Sequence, residues 1–233
     1  MAQGSTVHKV AALITRGEDA ERELLVFRHP SAGIQLPAGT VEEGEAIEAA
    51  VLREVREETG LAEVVIAARL ATQTEEMGPE GRMITTSGVR LRVKPSDAAA
   101  WIEVHGGARV VMSALGRGLT VRHIRDATGP IVEGEFAQVG YDLYDIRGPH
   151  DWVLCNTIVG WVPLTAITAD VQRHLFHMET TAPTPDRWAH HGDVPGCELY
   201  WTPLAQDPGL VKGQDLWRLA ALEPLAGNRS RSV

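Results

Sequence analysis

Residues 39–61 read GTVEEGEAIEAAVLREVREETGL and carry seven glutamates. The part from Ala46 to Thr59 contains no Gly or Pro, and Ala, Leu, Glu and Arg together make up ten of its 14 residues. It is therefore predicted to be a helix that stops at Gly60. Because like charges three or four residues apart on a helix repel each other, so many carboxylates need either full solvation or a bound cation.

The helical wheel places three of these glutamates beside the predicted buried face. That face is formed by Ile47, Val51, Leu52 and Val55, and the carboxylates that border it are Glu54, Glu57 and Glu58, with Glu58 nearest the apolar arc. A solvated acidic face, the commonest arrangement, would lie on the far side of the helix. A carboxylate at the margin of a core must be paired, protonated or bound to a metal, and Arg53 offers one guanidinium for three carboxylates. A hard divalent cation, which prefers oxygen ligands, is the predicted partner.

The spacing of the segment identifies a known motif. Five residues separate Gly39 from Glu45, and seven separate Glu45 from Arg53. Every fixed position of the Nudix box is present: Gly39, Glu45, Arg53, Glu54, Val55, Glu57, Glu58, Gly60 and Leu61. The chain thus resembles the Nudix hydrolase superfamily.

The resemblance implies hydrolysis of a diphosphate bond in a nucleoside diphosphate linked to another moiety, such as a nucleotide or a sugar, with Mg²⁺ or Mn²⁺ as cofactor. The catalytic residues that it implies are Glu54, Glu57, Arg53 and Glu45. The metal ligands that it implies are Glu54, Glu57, Glu58 and the carbonyl of Gly39, which would also allow a tight loop. Arg53 would orient a glutamate by ion pairing, and Glu45 would support the site. The alternative is a non-catalytic protein that uses a Nudix scaffold to bind a ligand or a regulatory partner.

The expected fold class is α/β (α+β), a Nudix α/β/α sandwich with a mixed sheet. Strand-like runs such as VHKVAALIT and LLVFRH precede the box, and a C-terminal helix is predicted in GLVKGQDLWRLAALEPL, residues 209–225. Between them lie many short β-like runs, and SDAAAWIEV is the one stretch there that could be helical. We therefore expect a discontinuous Nudix domain, residues 1–77 and 170–233, interrupted by a β-rich module, residues 78–169. The module is expected to shape substrate access or a homodimer contact and to supply no essential metal ligand.

The substrate is less clearly marked than the reaction. Sequence signals of the subgroups that cleave dinucleoside polyphosphates, ADP-ribose, coenzyme A or NADH are not recognisable outside the box. Residues in segments that could edge the site are the substrate-binding candidates: Arg28, His29, Arg173 and Glu179. Trp188 and Tyr200 could stack on a base, although buried aromatic residues more often fill a core.

Composition narrows the class of partner. The chain has 233 residues, 44% of them hydrophobic, and a formal net charge of −9. Such an acidic chain is a poor partner for nucleic-acid polymers or anionic membranes, so a small nucleotide is the expected partner. No secretory signal or apolar run of membrane-spanning length is visible. Cys155 and Cys197 fit no metal-ligand spacing, and we expect two reduced cysteines in a cytoplasmic protein.

Overall fold

The structure is a computed structural model that describes residues 4–18, 21–106, 109–112, 114–148, 151–190, 196–211 and 213–219. Its long helix is α1 (Ile47–Thr59). The strands are, in chain order, β1 (Val7–Arg16), β2 (Glu23–His29), β3 (Gly33–Gln35), β4 (Ala38–Thr40), β5 (Val64–Thr74), β6 (Gly81–Ile84), β7 (Val104–Gly106), β8 (Arg109–Met112), β9 (Thr120–His123), β10 (Arg125–Asp126), β11 (Gly129–Pro130), β12 (Val132–Glu133), β13 (Phe136–Gly148), β14 (Asp151–Pro163), β15 (Ile167–Thr168), β16 (Val171–Thr180), β17 (Arg187–His190) and β18 (Cys197–Pro203). The predicted α+β class with a mixed sheet is confirmed, and strands dominate it.

The chain divides into two compact units. The box unit comprises residues 9–73, 146–152 and 173–233, and the β unit comprises residues 1–8, 74–145 and 153–172. The insertion of a separate module at residues 78–169 stays a prediction. Within the described residues, no helix is both long enough and apolar enough to cross a membrane.

The box unit is built on a sheet with the strand order β17-β18-β2-β1-β16-β5. Two short strands extend it: β3 pairs with β2, and β4 pairs antiparallel with β1 so that Gly39 lies opposite Val10. Because Gly39 opens the box and α1 follows β4 directly, this pairing fixes the box against the centre of the sheet.

Alternation along the strands gives the box-unit sheet two apolar faces. One face, with Val10, Ala12 and Ile14 of β1, packs against the fully buried Val51 and Val55 of α1. Ile47 and Leu52 pack on the same cluster, so the buried face predicted from the wheel is confirmed. Burying one such aliphatic side chain contributes about 1.5–3 kcal/mol, and this apolar face is what holds the acidic helix on the sheet.

The opposite face is covered in part by the C-terminal segment. Residues 214–219 are helical, and residues 220–225 of the predicted helix lie outside the described part of the chain. Two leucines of this helix are not buried, since Leu216 is 61% and Leu219 49% exposed. The buried pair is instead Gln214 and Arg218, four residues apart. Their side chains bond to the N–H of Leu36 and the C=O of Leu204, so they satisfy backbone groups that apolar residues would leave unpaired.

The β unit has its own sheet, ordered β12-β13-β9-β6-β15, with β14 paired to β13. A separate apolar cluster, which includes Ile84, Leu91, Val139 and Val162, forms its core. The stretch SDAAAWIEV, residues 96–104, is not helical: it forms turns, an isolated bridge at Trp101 and the start of β7 at Val104.

Candidate active site

Gly39 lies within strand β4 and leaves space for a carboxylate. A Cβ built on Gly39 would lie 1.9 Å from both Cδ and Oε1 of Glu54. The φ angle of Gly39 is outside the left-handed region, so the tight-loop role expected for this glycine is wrong. The absence of a side chain at Gly39 is what lets the Glu54 carboxylate pack directly on the backbone of β4.

Arg53 gathers three of the box glutamates around one guanidinium. Its Nε and Nη2 donate to the two carboxylate oxygens of Glu45, both at 2.9 Å. Its Nη1 donates to Glu54 at 2.9 Å and to Glu57 at 3.0 Å, and Nη2 also donates to the C=O of Thr40 at 3.1 Å. The ion pairing that the resemblance implied for Arg53 is present, and it includes Glu45 as well as two of the implied ligands.

Glu45 is the structural partner in this network. Besides the bidentate pair with Arg53, it accepts a hydrogen bond from the N–H of Glu42 at 2.9 Å, which ties the loop before α1. The hydrogen bonds from Arg53 hold the pKa of Glu45 below its ordinary value. The same bonds raise the pKa of Arg53, so the pair stays ionised and anchors the start of the helix.

Glu54 has the opposite electrostatic character. Its side chain is only 14% exposed, and burial raises its pKa, although Arg53 opposes the shift. Glu57 and Glu45 add to the rise by repulsion. The contacts around Glu54 therefore do not fully stabilise its ionised carboxylate, and a bound divalent cation would stabilise it.

Glu58 and Glu57 differ in their burial and in their hydrogen-bond partners. Glu58 is half-buried and accepts a hydrogen bond from the N–H of Ala38 at 2.8 Å, which aims its carboxylate at the start of β4. Its charge adds to the effect of burial in raising the pKa of the Cys197 thiol. The Glu57 side chain is 45% exposed and bonded to Arg53, so of the three carboxylates it has the freest access to solvent.

The end of α1 is fixed by backbone conformation and by β17. Gly60 has φ 75°, and its N–H bonds to the C=O of Arg56, so the predicted left-handed stop is confirmed. The indole Nε1 of Trp188 donates to the C=O of Thr59 at 2.9 Å, and Nε2 of His190 lies 3.0 Å from the C=O of Glu57. Sequence reasoning did not identify β17. Its signal would have been the alternation of Trp188 and His190 after the Pro-rich residues 182–185.

The four predicted substrate contacts do not lie together. By strand alternation, Arg28, Arg173 and Glu179 belong to the sheet face opposite α1, and His29 belongs to the α1 face. The side chain of Arg28 is 57% exposed, near Glu198 and Tyr200. Arg173 is buried, bonds to the C=O of Val10 and stacks on Trp217 at 4.1 Å.

The other two candidates also have local partners. Nδ1 of His29 accepts hydrogen bonds from the N–H groups of Ser31 and Ala32, which closes the turn after β2. Glu179 lies near Arg22 and lines a polar cavity of about 470 Å³ with Thr15, Arg16, Gly17, Glu18, Arg22 and Thr180. This cavity is at the end of β1 distant from the pairing of Val10 with Gly39.

Within the described residues, no group of three or more His, Cys, Asp or Glu side chains converges closely enough to hold a metal ion. In the box the reason is visible, because the guanidinium of Arg53 stands between Glu45, Glu54 and Glu57. The donor set nevertheless has the chemistry that Mg²⁺ and Mn²⁺ prefer, since every group in it offers oxygen.

Comparison with known proteins agrees with the motif. Residues 6–99 match the family model of the NUDIX domain, a range that contains the whole box, α1 and strands β1 to β6. A comparison with curated proteins gives no match. Residues 6–99 thus carry a NUDIX domain, and the match supports membership of the Nudix hydrolase superfamily, whose hydrolases act on phosphoric anhydrides in general.

Proposed function

We propose that this protein is a metal-dependent pyrophosphohydrolase that cleaves a diphosphate bond in a nucleoside diphosphate linked to another moiety, with Mg²⁺ or Mn²⁺. The observation that carries the proposal is the crowded carboxylate set on α1. Three carboxylates share the single guanidinium of Arg53, and one of them, Glu54, is buried against Gly39. A fold maintained only for stability gains nothing from a buried carboxylate whose pKa is raised by its surroundings.

The residues present fit a divalent cation. Glu54, Glu57, Glu58 and the C=O of Gly39 would hold it, because these oxygens belong to the turn of α1 that faces β4 and to β4 itself. Arg53 acts as a substitute cation for Glu54 and Glu57 until a metal binds. When a metal replaces Arg53 as the partner of Glu54 and Glu57, Arg53 still keeps its bidentate bond to Glu45.

A cation at this site would polarise the phosphoryl oxygens, neutralise developing charge and lower the pKa of bound water. Of the implied catalytic carboxylates, Glu57 is the one that a water molecule reaches most readily, because it is the most exposed, and we assign it as the base. In hydrolysis, a water oxygen forms a new bond to phosphorus, the bond from phosphorus to the bridging oxygen breaks, and Glu57 takes the water proton. Arg53 and Glu45 hold the carboxylates in position, which is the main requirement of phosphoryl transfer.

The finer features stay proposals as well. Contacts of the four candidates with substrate stay predictions: Arg28 and Glu179 are partly exposed but belong to the sheet face opposite α1, and His29 and Arg173 already serve a turn and a buried contact. A small nucleotide partner, a cytoplasmic location and a homodimer contact through residues 78–169 also stay predictions. None of these affects the assignment of the box residues.

The proposal is tested with a panel of ADP-ribose, NADH, nucleotide sugars, coenzyme A, dinucleoside polyphosphates and nucleoside triphosphates, each with Mg²⁺ or Mn²⁺. Products are identified by mass spectrometry in water enriched in ¹⁸O, which reports the phosphorus that is attacked. We expect cleavage of at least one diphosphate, abolished by EDTA and by Glu54→Gln. Binding of nucleotide and Mn²⁺ without hydrolysis of any member would instead support the non-catalytic alternative.

A further inference from the structure

We propose that Trp188 and His190 of β17 are positioning residues that hold the last turn of α1, and with it Glu57 and Glu58, in the geometry needed to bind metal. The inference rests on the proposed function, because it concerns the same carboxylates. It assigns a role to a strand that lies outside both the Nudix box and the range matched by the family model.

The argument begins with the backbone of the helix end. The last four C=O groups of an α-helix have no partner within the helix and need one from elsewhere. In α1 the two β17 side chains supply partners for two of them. The indole N–H of Trp188 reaches Thr59 at 2.9 Å, and Nε2 of His190 reaches Glu57 at 3.0 Å. Because a carbonyl can only accept, Nε2 of His190 carries a hydrogen in this contact.

Gly60 makes the approach of His190 sterically feasible. A Cβ on Gly60 would lie 2.8 Å from Nδ1 of His190, so any other residue would displace the imidazole. Gly60 therefore has a second role besides its left-handed φ of 75°, since it also leaves room for the ring that holds the turn.

The strand that presents these side chains is itself well fixed. In β17, Trp188 pairs with Leu199 and His190 with Cys197 of β18, and β18 pairs with β2 along its length. The Trp188 ring packs on the same apolar cluster as α1 and lies 6.5 Å from the ring of Trp201. The last turn of α1 is thereby linked to the sheet through two backbone carbonyls, those of Glu57 and Thr59.

The body of the helix and its last turn are held by different contacts. Val51 and Val55 bury the helix body, whereas Glu57 and Glu58 lie in the turn that β17 contacts. Loss of the β17 contacts should therefore leave α1 folded and let this turn shift. A ligand shift of this kind lowers metal affinity and turnover more than stability, and loss of an outer partner of a metal ligand typically costs about 10–100-fold in affinity or activity.

The test uses the full chain and four variants. Trp188→Phe keeps an aromatic ring but removes the N–H, His190→Ala removes the imidazole, and His190→Gln restores a donor. Trp201→Phe is the matched control, because its indole lies in the same cluster but donates to the C=O of Pro185 at 3.1 Å. Mn²⁺ affinity is measured by calorimetry and by electron paramagnetic resonance, and kcat, KM and the metal-free melting temperature are measured on the same samples.

We expect Trp188→Phe and His190→Ala each to weaken Mn²⁺ binding and to lower kcat by about tenfold or more, with little change in KM. His190→Gln should recover much of the Mn²⁺ affinity and of kcat. Trp201→Phe should retain the wild-type Mn²⁺ affinity and kcat, although its melting temperature should fall about as much as that of Trp188→Phe. The inference is overturned if Trp188→Phe and His190→Ala match Trp201→Phe in Mn²⁺ affinity and kcat. If Trp188→Phe does not fold, the contrast between His190→Ala and His190→Gln decides. A wild-type protein that neither binds Mn²⁺ nor hydrolyses any nucleotide would reject the proposed function instead.

Discussion

Replacing Gly39 with Ala tests whether the box depends on the contact between Glu54 and the backbone of β4. The new Cβ would lie 1.9 Å from Cδ of Glu54, and ordinary contact begins at 3.4 Å, so the carboxylate must move by about 1.5 Å. That movement breaks its 2.9 Å bond to Arg53. Loss of a charged hydrogen bond costs about 1.5–3 kcal/mol. Because Ala restricts the unfolded chain, about 0.4–1 kcal/mol is recovered. The net loss should be about 1–2 kcal/mol, a fall of about 2–8 °C in melting temperature.

The effect on the site should exceed the effect on the fold. A functional side chain must stay within about 0.5 Å of its productive position, and a displacement of about 1 Å can cost about 100-fold in rate. We therefore expect turnover to fall by about two orders of magnitude, and the Mg²⁺-induced rise in melting temperature to shrink. Calorimetric melting with and without Mg²⁺, together with kcat on an accepted nucleotide, measures both.

Two further variants make the result decisive. Gly116→Ala is the control, because a Cβ there meets no atom within 4 Å and its φ is outside the left-handed region. In a Glu54→Ala background the clash is absent, so Gly39→Ala should then cost nothing or stabilise slightly. The reasoning is refuted if Gly39→Ala alone keeps the wild-type stability, metal response and turnover, or if its cost is the same with and without the Glu54 side chain.

Three other outcomes are expected. Glu58→Gln keeps an acceptor for the N–H of Ala38, so the metal-free melting temperature should change little. The Mg²⁺-induced rise in melting temperature and the turnover should fall sharply, because a metal ligand is lost. A variant that keeps the Mg²⁺-induced rise and the turnover shows that Glu58 is not a ligand. Gly60→Val places a β-branched residue at φ 75° with its Cβ near His190. Urea unfolding should report a loss of unfolding free energy above about 1–2 kcal/mol, and turnover should fall with it. An unchanged unfolding free energy and turnover would contradict the role assigned to Gly60. Burial lowers the pKa of His177, so the unfolded chain takes up the proton more readily and stability should fall as pH drops below 6.5. His177→Gln should flatten this dependence in urea titrations between about pH 5 and 7.5, and an unchanged slope would count against it.

The sequence by itself determined the helix, its end and the chemistry of its acidic side. The 3.6-residue period of Val51 and Val55 predicted the buried face, and the absence of Gly or Pro before Gly60 predicted the length of α1. These features can be predicted from the sequence because they depend on residues within one or two helical turns of each other. The box spacing likewise lies within 23 consecutive residues, so the family could be recognised before any fold was known.

Tertiary structure decided what each box residue touches and what lies around it. Gly39 was expected in a tight loop, but it is a strand residue whose missing side chain makes room for Glu54. Trp188 and His190 reach α1 across 129 and 133 residues of sequence, and no local pattern encodes such contacts. The predicted substrate contacts show the same limit, since strand alternation assigns Arg28 and Arg173 to the face opposite α1 once the sheet is formed. The periodicity of the sequence specifies which side of a helix or strand is apolar. The pairing of strands that are distant in sequence decides which polar groups come into contact, and this pairing forms only when the chain folds.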